Sequence, residues 1–466
     1  MGDLLYEAQR LTFRAWLAST QSWTERRWLP AVFFLALALS LAMSYGTGRF
    51  GTPERWEYSE IADNVVQGRG AFHEYLGAKY YFYGPPTYPF LLAAVLGPLH
   101  GSESLMLVVQ AFLFAGSAAL VYRIARTWFA PGLAGVSGLL AACHPGNLVY
   151  SGKLHAQTLD IVLLLAGFLM ALRLTHRSNA WAGLGAGCLL GSAALSRGTV
   201  VPFYVCWVLL FLYRERNRWS QALRVVGAIT LGAVLVIGPQ MTRAYLRYGA
   251  LIPLRTDTGV NLWLGNHVGA TGTAHSFGPD HAEVFLEWSR DVSPSVLTMN
   301  EVEQSRAFVS AVSRFVVNDP GAFVILWLKK LYYFWWFSPS TGLLYRASWL
   351  YSYGTFYALV LFFAALGLSK CVTSESPAMR QGTQVFVMLA VTFSVTQALF
   401  YVEGRHRWQI EPLLFVFVPS GILMLKIAAQ GLFAIDGPGV VRARATDLWR
   451  AALSPAFTSD QAAAED

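Results

Sequence analysis

Two carboxylates and two arginines pose the chemical question in this chain. Glu54 and Glu57 stand three residues apart at the start of "ERWEYSEIADNVVQG". A carboxylate set against an attacking hydroxyl can take its proton as a general base. Arg405 and Arg407 bracket His406 in "EGRHRWQIEP", and an arginine fork grips phosphate through two parallel hydrogen bonds. Each pair also has an ordinary use. Acids favour the first turn of a helix, where the backbone dipole stabilises them, and arginines at the end of an apolar run reach the headgroup level.

Lys79, Lys153 and Arg197 are further cations with a lesser claim of the same kind. His155 and Asp160 flank the start of an apolar run, where they either line a cavity or cap a helix. "NLWLGNHVGATG" (261–272) carries Asn261, Asn266 and glycines at 265, 269 and 272, which predicts a tight polar loop. Its amides and exposed backbone suit sugar hydroxyls or a pyrophosphate. The chain contains no G-K-[ST], H-E-x-x-H or D-x-D motif, so no metal or cofactor is expected. Cys143, Cys188, Cys206 and Cys371 lack C-x-x-C spacing and sit in or beside apolar runs, as structural thiols do.

The elements that must position these residues are written in the composition. The chain is 55% hydrophobic and 13% charged, with a mean hydropathy of +0.42. Soluble domains carry about a quarter charged residues. The expectation is therefore an all-α polytopic membrane protein, with membrane lipids as its surroundings. About ten spans can be drawn, near 30–46, 104–122, 130–145, 158–174, 180–195, 199–213, 223–239, 352–369, 383–401 and 410–427. The net charge of +8 sits mostly between spans, as orientation signals do, which disfavours nucleic acid as a partner.

Arg123, Arg126, Arg173, Arg177, the "RERNR" run at 214–218, Lys370 and Arg380 all fall on the side of the basic N-terminus. The positive-inside rule makes that side cytoplasmic. Residues 47–103, 144–157, 196–198, 240–350 and 403–412 then share the opposite, extracytoplasmic face. Residues 1–29 read as a cytoplasmic amphipathic segment without a cleavage site, 30–427 as the membrane domain, and 428–466 as a cytoplasmic, partly disordered tail. Lys329 and Lys330 inside "NDPGAFVILWLKKLYYFWWFSP" argue for a helix lying in the interface rather than crossing it.

The order of these features resembles that of the GT-C superfamily of membrane glycosyltransferases. Within it, the chain looks like the family of dolichyl-phosphate-mannose protein mannosyltransferases and lipid A aminoarabinose transferases. The resemblance is carried by Glu54, Tyr58 and Ala62 at intervals of four followed by "GRG" (68–70), by "GPPTYPFLLA" (84–93) and "ALSRGTVVP" (194–202), and by "NLWLGNHVGATG" and "RHRWQIEP" (405–412). It runs over most of residues 30–427. It implies a GT-C-like bundle of about ten transmembrane helices with extracytoplasmic juxtamembrane helices. It also implies transfer of a sugar from a polyprenyl-phosphate carrier to a hydroxyl on a lipid, glycan or protein, with inversion, outside the cell membrane.

Within that resemblance Glu54 is the expected base and Glu57 its alternative. Arg405, Arg407, Lys79 and Lys153 are expected at the donor phosphate, and Tyr58, His155, Asn261, Asn266 and His406 at the substrates. Two departures keep the base open: many relatives have Asp where Glu54 stands, and Gln157 occupies a position that is usually acidic. The rival expectation is a transporter or flippase, which would place charges inside spans and repeat one half in the other.

Overall fold

The computed structural model describes residues 25–75, 77–97, 102–176, 179–273, 292–338, 347–432 and 449. Most of the expected N-terminal segment 1–29 and most of the tail 428–466 lie outside these described residues. The chain enters on helix α1 (Glu25–Gly46), then a short α2 (Glu57–Val66), a hairpin of β1 (His73–Tyr75) and β2 (Ala78–Tyr80), and α3 (Thr87–Leu96). Helices α4 (Glu103–Arg126), α5 (Pro131–Ala142), α6 (Pro145–Ser151), α7 (Gln157–His176), α8 (Ala180–Ser196), α9 (Val201–Arg214) and α10 (Trp219–Tyr248) follow. Beyond them come α11 (Thr258–Leu264), α12 (Glu301–Asn318), α13 (Pro320–Trp335), α14 (Ala347–Val372), α15 (Pro377–Gln397), two single turns α16 (Gly404–Arg407) and α17 (Glu411–Leu414), and α18 (Val418–Leu432).

The protein is an all-α polytopic membrane protein. Among the described residues, six helices are long and apolar enough to cross a bilayer: Arg26–Gly46, Glu103–Arg126, Gln157–Thr175, Arg216–Tyr248, Ala347–Val372 and Glu411–Ala429. A seventh span results if α12 and α13, bent by 111°, are taken together. This is fewer than the ten expected from hydropathy. Of the four expected spans that are missing, three (α5, α8 and α9) are helices of insufficient length. The α5 helix has 12 residues and α9 has 14, about 18 and 21 Å at the α-helical rise, against a hydrocarbon core of about 30 Å. The α15 helix is long enough but carries Arg380, Gln381 and Gln384 near its start.

Helices pack by near backbone contact where glycine permits it. A Cβ at Gly187 on α8 would stand 2.0 Å from the Ile229 carbonyl of α10, and one at Gly232 would stand 2.3 Å from the Leu184 carbonyl. The core between the helices is aromatic, with Trp128, Phe129, Phe168, Phe203 and Trp207 all buried.

The α2 helix buries Tyr58, Ile61 and Ala62, an apolar stripe at helical spacing. Apolar burial of that stripe docks the first loop on the bundle. One loop expectation needs correction. The first residues of "NLWLGNHVGATG" belong to α11, because Val260 and Trp263 bury an apolar face against Phe308 and Val312 of α12. The loop begins only at Gly265. Its Asn266 is buried and tied down, donating to the carbonyls of Leu262 (2.7 Å) and Leu399 (2.6 Å) and accepting from Lys330 Nζ (2.7 Å). Lys330 on α13 is fully buried by these contacts and by the Gly265 carbonyl at 3.0 Å, which accounts for a lysine within so aromatic a helix.

A cavity walled by six segments

Polar pieces distant in sequence converge on one cavity of ≈ 800 Å³, within the usual range for small-molecule sites. Its wall is built from the start of α2 (Trp56, Glu57, Tyr58, Glu60), the hairpin and the loop after it (His73, Glu74, Tyr83), and the start of α7 (His155, Asp160). The other side comes from Ser196, Arg197 and Thr199 after α8, Arg255, Asp257 and Asn261 around α11, and Gln397, Tyr401, Arg405 and His406 after α15. Helix ends and connecting turns supply nearly all of these residues, since a helix end is where polar backbone and side chains can meet without burying either alone.

Most cavity charges are paired. Arg197 Nε lies 3.2 Å from Asp160 Oδ2, Arg255 Nε 2.9 Å from Asp257 Oδ1, and Arg405 Nε 2.8 Å from Glu403 Oε2. Asp160 also accepts from Ser196 Oγ and from Gln409 Nε2 at 3.0 Å. Asn261 Nδ2 donates to Asp257 Oδ2 at 3.0 Å. Burial pushes the Asp257 carboxyl up to about 6, with Arg255 opposing the shift. Glu57 differs from these acids in making no ion pair among the described residues. Burial raises its pKa, while the charges of Arg405 and Arg255 pull the other way. A half-buried carboxylate of raised pKa is a better proton acceptor than a free one at the same pH.

Glu54 sits elsewhere. Its two oxygens are held by Arg49 Nη2 at 2.7 Å and Lys153 Nζ at 2.9 Å, and it is not among the residues lining the cavity. Nor does it cap α2, whose N-cap residue is Trp56 and makes no side-chain cap. Lys153 is thereby committed to Glu54. Lys79 lies on the hairpin, half-exposed, 3.5 Å from Glu74 and over the Phe72 ring, outside the cavity lining.

The two arginines of "RHR" part company. Arg405 faces the cavity and also hydrogen-bonds Tyr150 and Tyr401. Arg407 points into the protein and is 1% exposed. It meets Glu411 at 3.2 Å, donates to the Phe334 and Trp336 carbonyls and to Tyr353 Oη, and lies 3.8 Å from the Tyr357 ring centre. His144 Nε2 stands 3.1 Å from the other oxygen of Glu411, so the cluster carries its own counter-charges.

Of the residues singled out in the sequence, Glu57, Tyr58, His155, Asp160, Arg197, Asn261, Arg405 and His406 are brought together. Glu54, Lys79, Lys153, Asn266 and Arg407 are not. Arg255 and Asp257 were missed, and their only signal is the R-x-D spacing in "LIPLRTDTG". Among the described residues no group of three or more His, Cys, Asp and Glu side chains could hold a metal ion.

Residues 83–241 match the profile of the dolichyl-phosphate-mannose-protein mannosyltransferase family. No curated protein matches the chain. Among solved structures it is similar to the archaeal oligosaccharyltransferase AglB from Archaeoglobus fulgidus, in complex with an inhibitory peptide and a dolichol-phosphate. The TM-score is 0.51 and the identity 15%, over 94% of this chain and 56% of that one. This chain thus spans little more than half the length of that protein. It also overlaps ArnT from Cupriavidus metallidurans bound to undecaprenyl phosphate, at a TM-score of 0.39 and 13% identity over 85% of this chain and 79% of that one, too loosely to bear on the fold. The match over residues 83–241 thus likens that stretch of this membrane protein to the mannosyltransferase family, and its fold is similar to that of the archaeal oligosaccharyltransferase.

Proposed function

We propose that the protein is an integral membrane glycosyltransferase that moves a sugar from a polyprenyl-phosphate carrier to a hydroxyl acceptor, with the cavity as the reaction chamber. The observation that carries this reading is the pairing of Glu57, a half-buried carboxylate without an ion pair among the described residues, with the guanidinium of Arg405 in one enclosed space. That the archaeal protein of similar fold was solved with a dolichol-phosphate supports a lipid phosphate as the donor.

In this reading the acceptor oxygen attacks the anomeric carbon and passes its proton to Glu57. The bond from that carbon to the phosphate oxygen breaks, and its electron pair leaves with the lipid phosphate. A phosphate ester is already a good leaving group, so a fixed cation at the departing oxygen helps more than an acid would. Arg405 takes that part. One displacement at one carbon inverts its configuration. The basic connections on the N-terminal side support an extracytoplasmic cavity by the positive-inside rule, and on this reading the acceptor hydroxyl belongs to a lipid, a lipid-linked glycan or a protein.

The test supplies labelled polyprenyl-phosphate sugars to membranes containing the protein and identifies the labelled product by mass spectrometry. A new glycoconjugate formed only with active protein is the expected result. Movement of the intact donor across reconstituted vesicles, with no sugar transferred, would replace this reading with a flippase.

A further inference from the structure

Three histidines in this fold share one backbone device. His144 Nδ1 accepts the N–H of Asn147 at 3.0 Å, His155 Nδ1 that of Gln157 at 3.0 Å, and His406 Nδ1 that of Glu403 at 3.2 Å. A backbone N–H can only donate, so each Nδ1 must be the bare nitrogen and the neutral ring carries its proton on Nε2. At His406 a second donor agrees. Gln397 Nε2, oriented by its 3.1 Å bond to the Tyr401 carbonyl, also lies 3.1 Å from His406 Nδ1.

The three rings differ in their surroundings. The His144 Nε2 meets Glu411 inside the protein. His155 and His406, each 5% exposed, line the cavity instead. They flank Arg405. On one side the Tyr150 ring lies 5.1 Å from His155 and its hydroxyl bonds Arg405, while Trp56 lies 5.1 Å from His155 and 5.9 Å from the guanidinium. On the other side the Tyr401 ring lies 5.3 Å from His406 and its hydroxyl bonds Arg405. Burial, with the nearby charges of Arg405 and Arg197, holds both rings well below the usual histidine range and so neutral.

A neutral imidazole fixed in this tautomer is a donor only. It cannot serve as a base without giving up its backbone hydrogen bond, and it adds no charge beside the arginine. We propose that His155 and His406 are ligand-binding residues whose Nε2–H groups donate to oxygens of the lipid phosphate held by Arg405. The phosphate then sits in a cradle with a cation at its centre and a neutral donor on either side. This rests on the reading of a polyprenyl-phosphate donor given above. Such donors gain strength as the bridging oxygen collects charge during bond breaking, because they need no reorganisation at that moment. A sugar hydroxyl could accept the same hydrogen bonds, and the experiment separates the two.

Full-length protein in lipid nanodiscs is titrated with a polyprenyl phosphate lacking any sugar, read by tryptophan fluorescence, with the matching polyprenol as neutral control. His155→Phe and His406→Phe keep a ring and lose the donor; each is expected to weaken phosphate binding about tenfold or more. His155→Gln and His406→Gln offer an amide N–H close to the former Nε2 and should restore affinity to within about threefold of wild type. Melting temperatures report the fold in each case. Wild-type phosphate affinity in the Phe variants, with slowed sugar transfer, assigns the donors to a sugar hydroxyl and overturns the proposal. So do Gln variants as weak as Phe variants at an unchanged melting temperature, and so does a wild-type protein that ignores the phosphate. A wild-type protein that binds the phosphate through these residues but never transfers sugar leaves the cradle standing and defeats only the glycosyltransferase reading.

Discussion

Arg405 and Arg407 are separated by one residue and belong to two regions of opposite design. Around Arg407 the charges are closed on themselves: Glu411 answers both His144 and Arg407, Tyr353 links Arg407 to Glu411, and two backbone carbonyls accept from Nη1. Around Arg405 the same residue types line a cavity, and two histidines built on the same backbone device line it as well. Removing one partner of a closed buried network costs stability, whereas an open cluster has donors to spare for a ligand. Residue type alone does not distinguish them. What lies beyond the last polar atom does.

The largest expected effect concerns the base. Glu57→Gln keeps the size of the side chain and removes its ability to take a proton, so the rate of transfer should fall by about 10²–10⁴. Glu54→Gln, outside the cavity, should change the rate by less than about tenfold, the scale of a partly exposed ion pair. The opposite ranking in a transfer assay would move the reaction to the Arg49–Lys153 side and break the comparison.

Arg407→Met should lower unfolding stability by about 3–5 kcal/mol, because it removes the buried cation paired with Glu411. Denaturation of purified protein measures this, and the folded fraction should bind donor with an affinity near wild type. Arg405→Ala should do the reverse, leaving the melting temperature in place and weakening donor binding by about tenfold to a hundredfold. Arg405→Lys should recover only part of that loss, since a point charge lacks the fork.

The smallest effect is a pH dependence. Asp257 titrates near 6 in the folded protein. Falling from pH 7 to 5 neutralises it, leaves Arg255 uncompensated and makes the cavity more positive by one charge. A phosphodiester donor keeps its own charge over this range, so its binding should tighten as pH falls, by less than about tenfold. Asp257→Asn should remove the part of that change centred near pH 6.

The helical membrane class was legible because a charge deficit and apolar runs leave few alternatives. Span count was not, since hydropathy registers apolar character and α5 and α9 are apolar but short. The stripe Tyr58, Ile61 and Ala62 could be read because helical period survives in sequence. The opposite orientations of Arg405 and Arg407 could not. They depend on a single turn, Gly404–Arg407, packed against carbonyls some seventy residues away. Arg255 and Asp257 were hidden for a similar reason, because only the folding of the 249–264 segment onto α12 brings them to the cavity. The ordering of Glu54 and Glu57 turned on Arg49 and Lys153, which pair with Glu54 only once α1, α2 and the turn after α6 meet.

The most direct measurement of the central claim is photo-crosslinking of the wild-type protein. A polyprenyl phosphate carrying a photoreactive group in the isoprene unit next to the phosphate is activated in native membranes, and adducts are mapped by peptide mass spectrometry. Adducts on Trp56–Tyr58, Tyr150–His155 and Tyr401–His406, competed away by unmodified polyprenyl phosphate, are predicted. Competed adducts confined to the closed cluster at Tyr353 and Tyr357, or to the distant helix ends at Arg214 and Gln381, would contradict the assignment of this cavity as the place where the lipid phosphate is held.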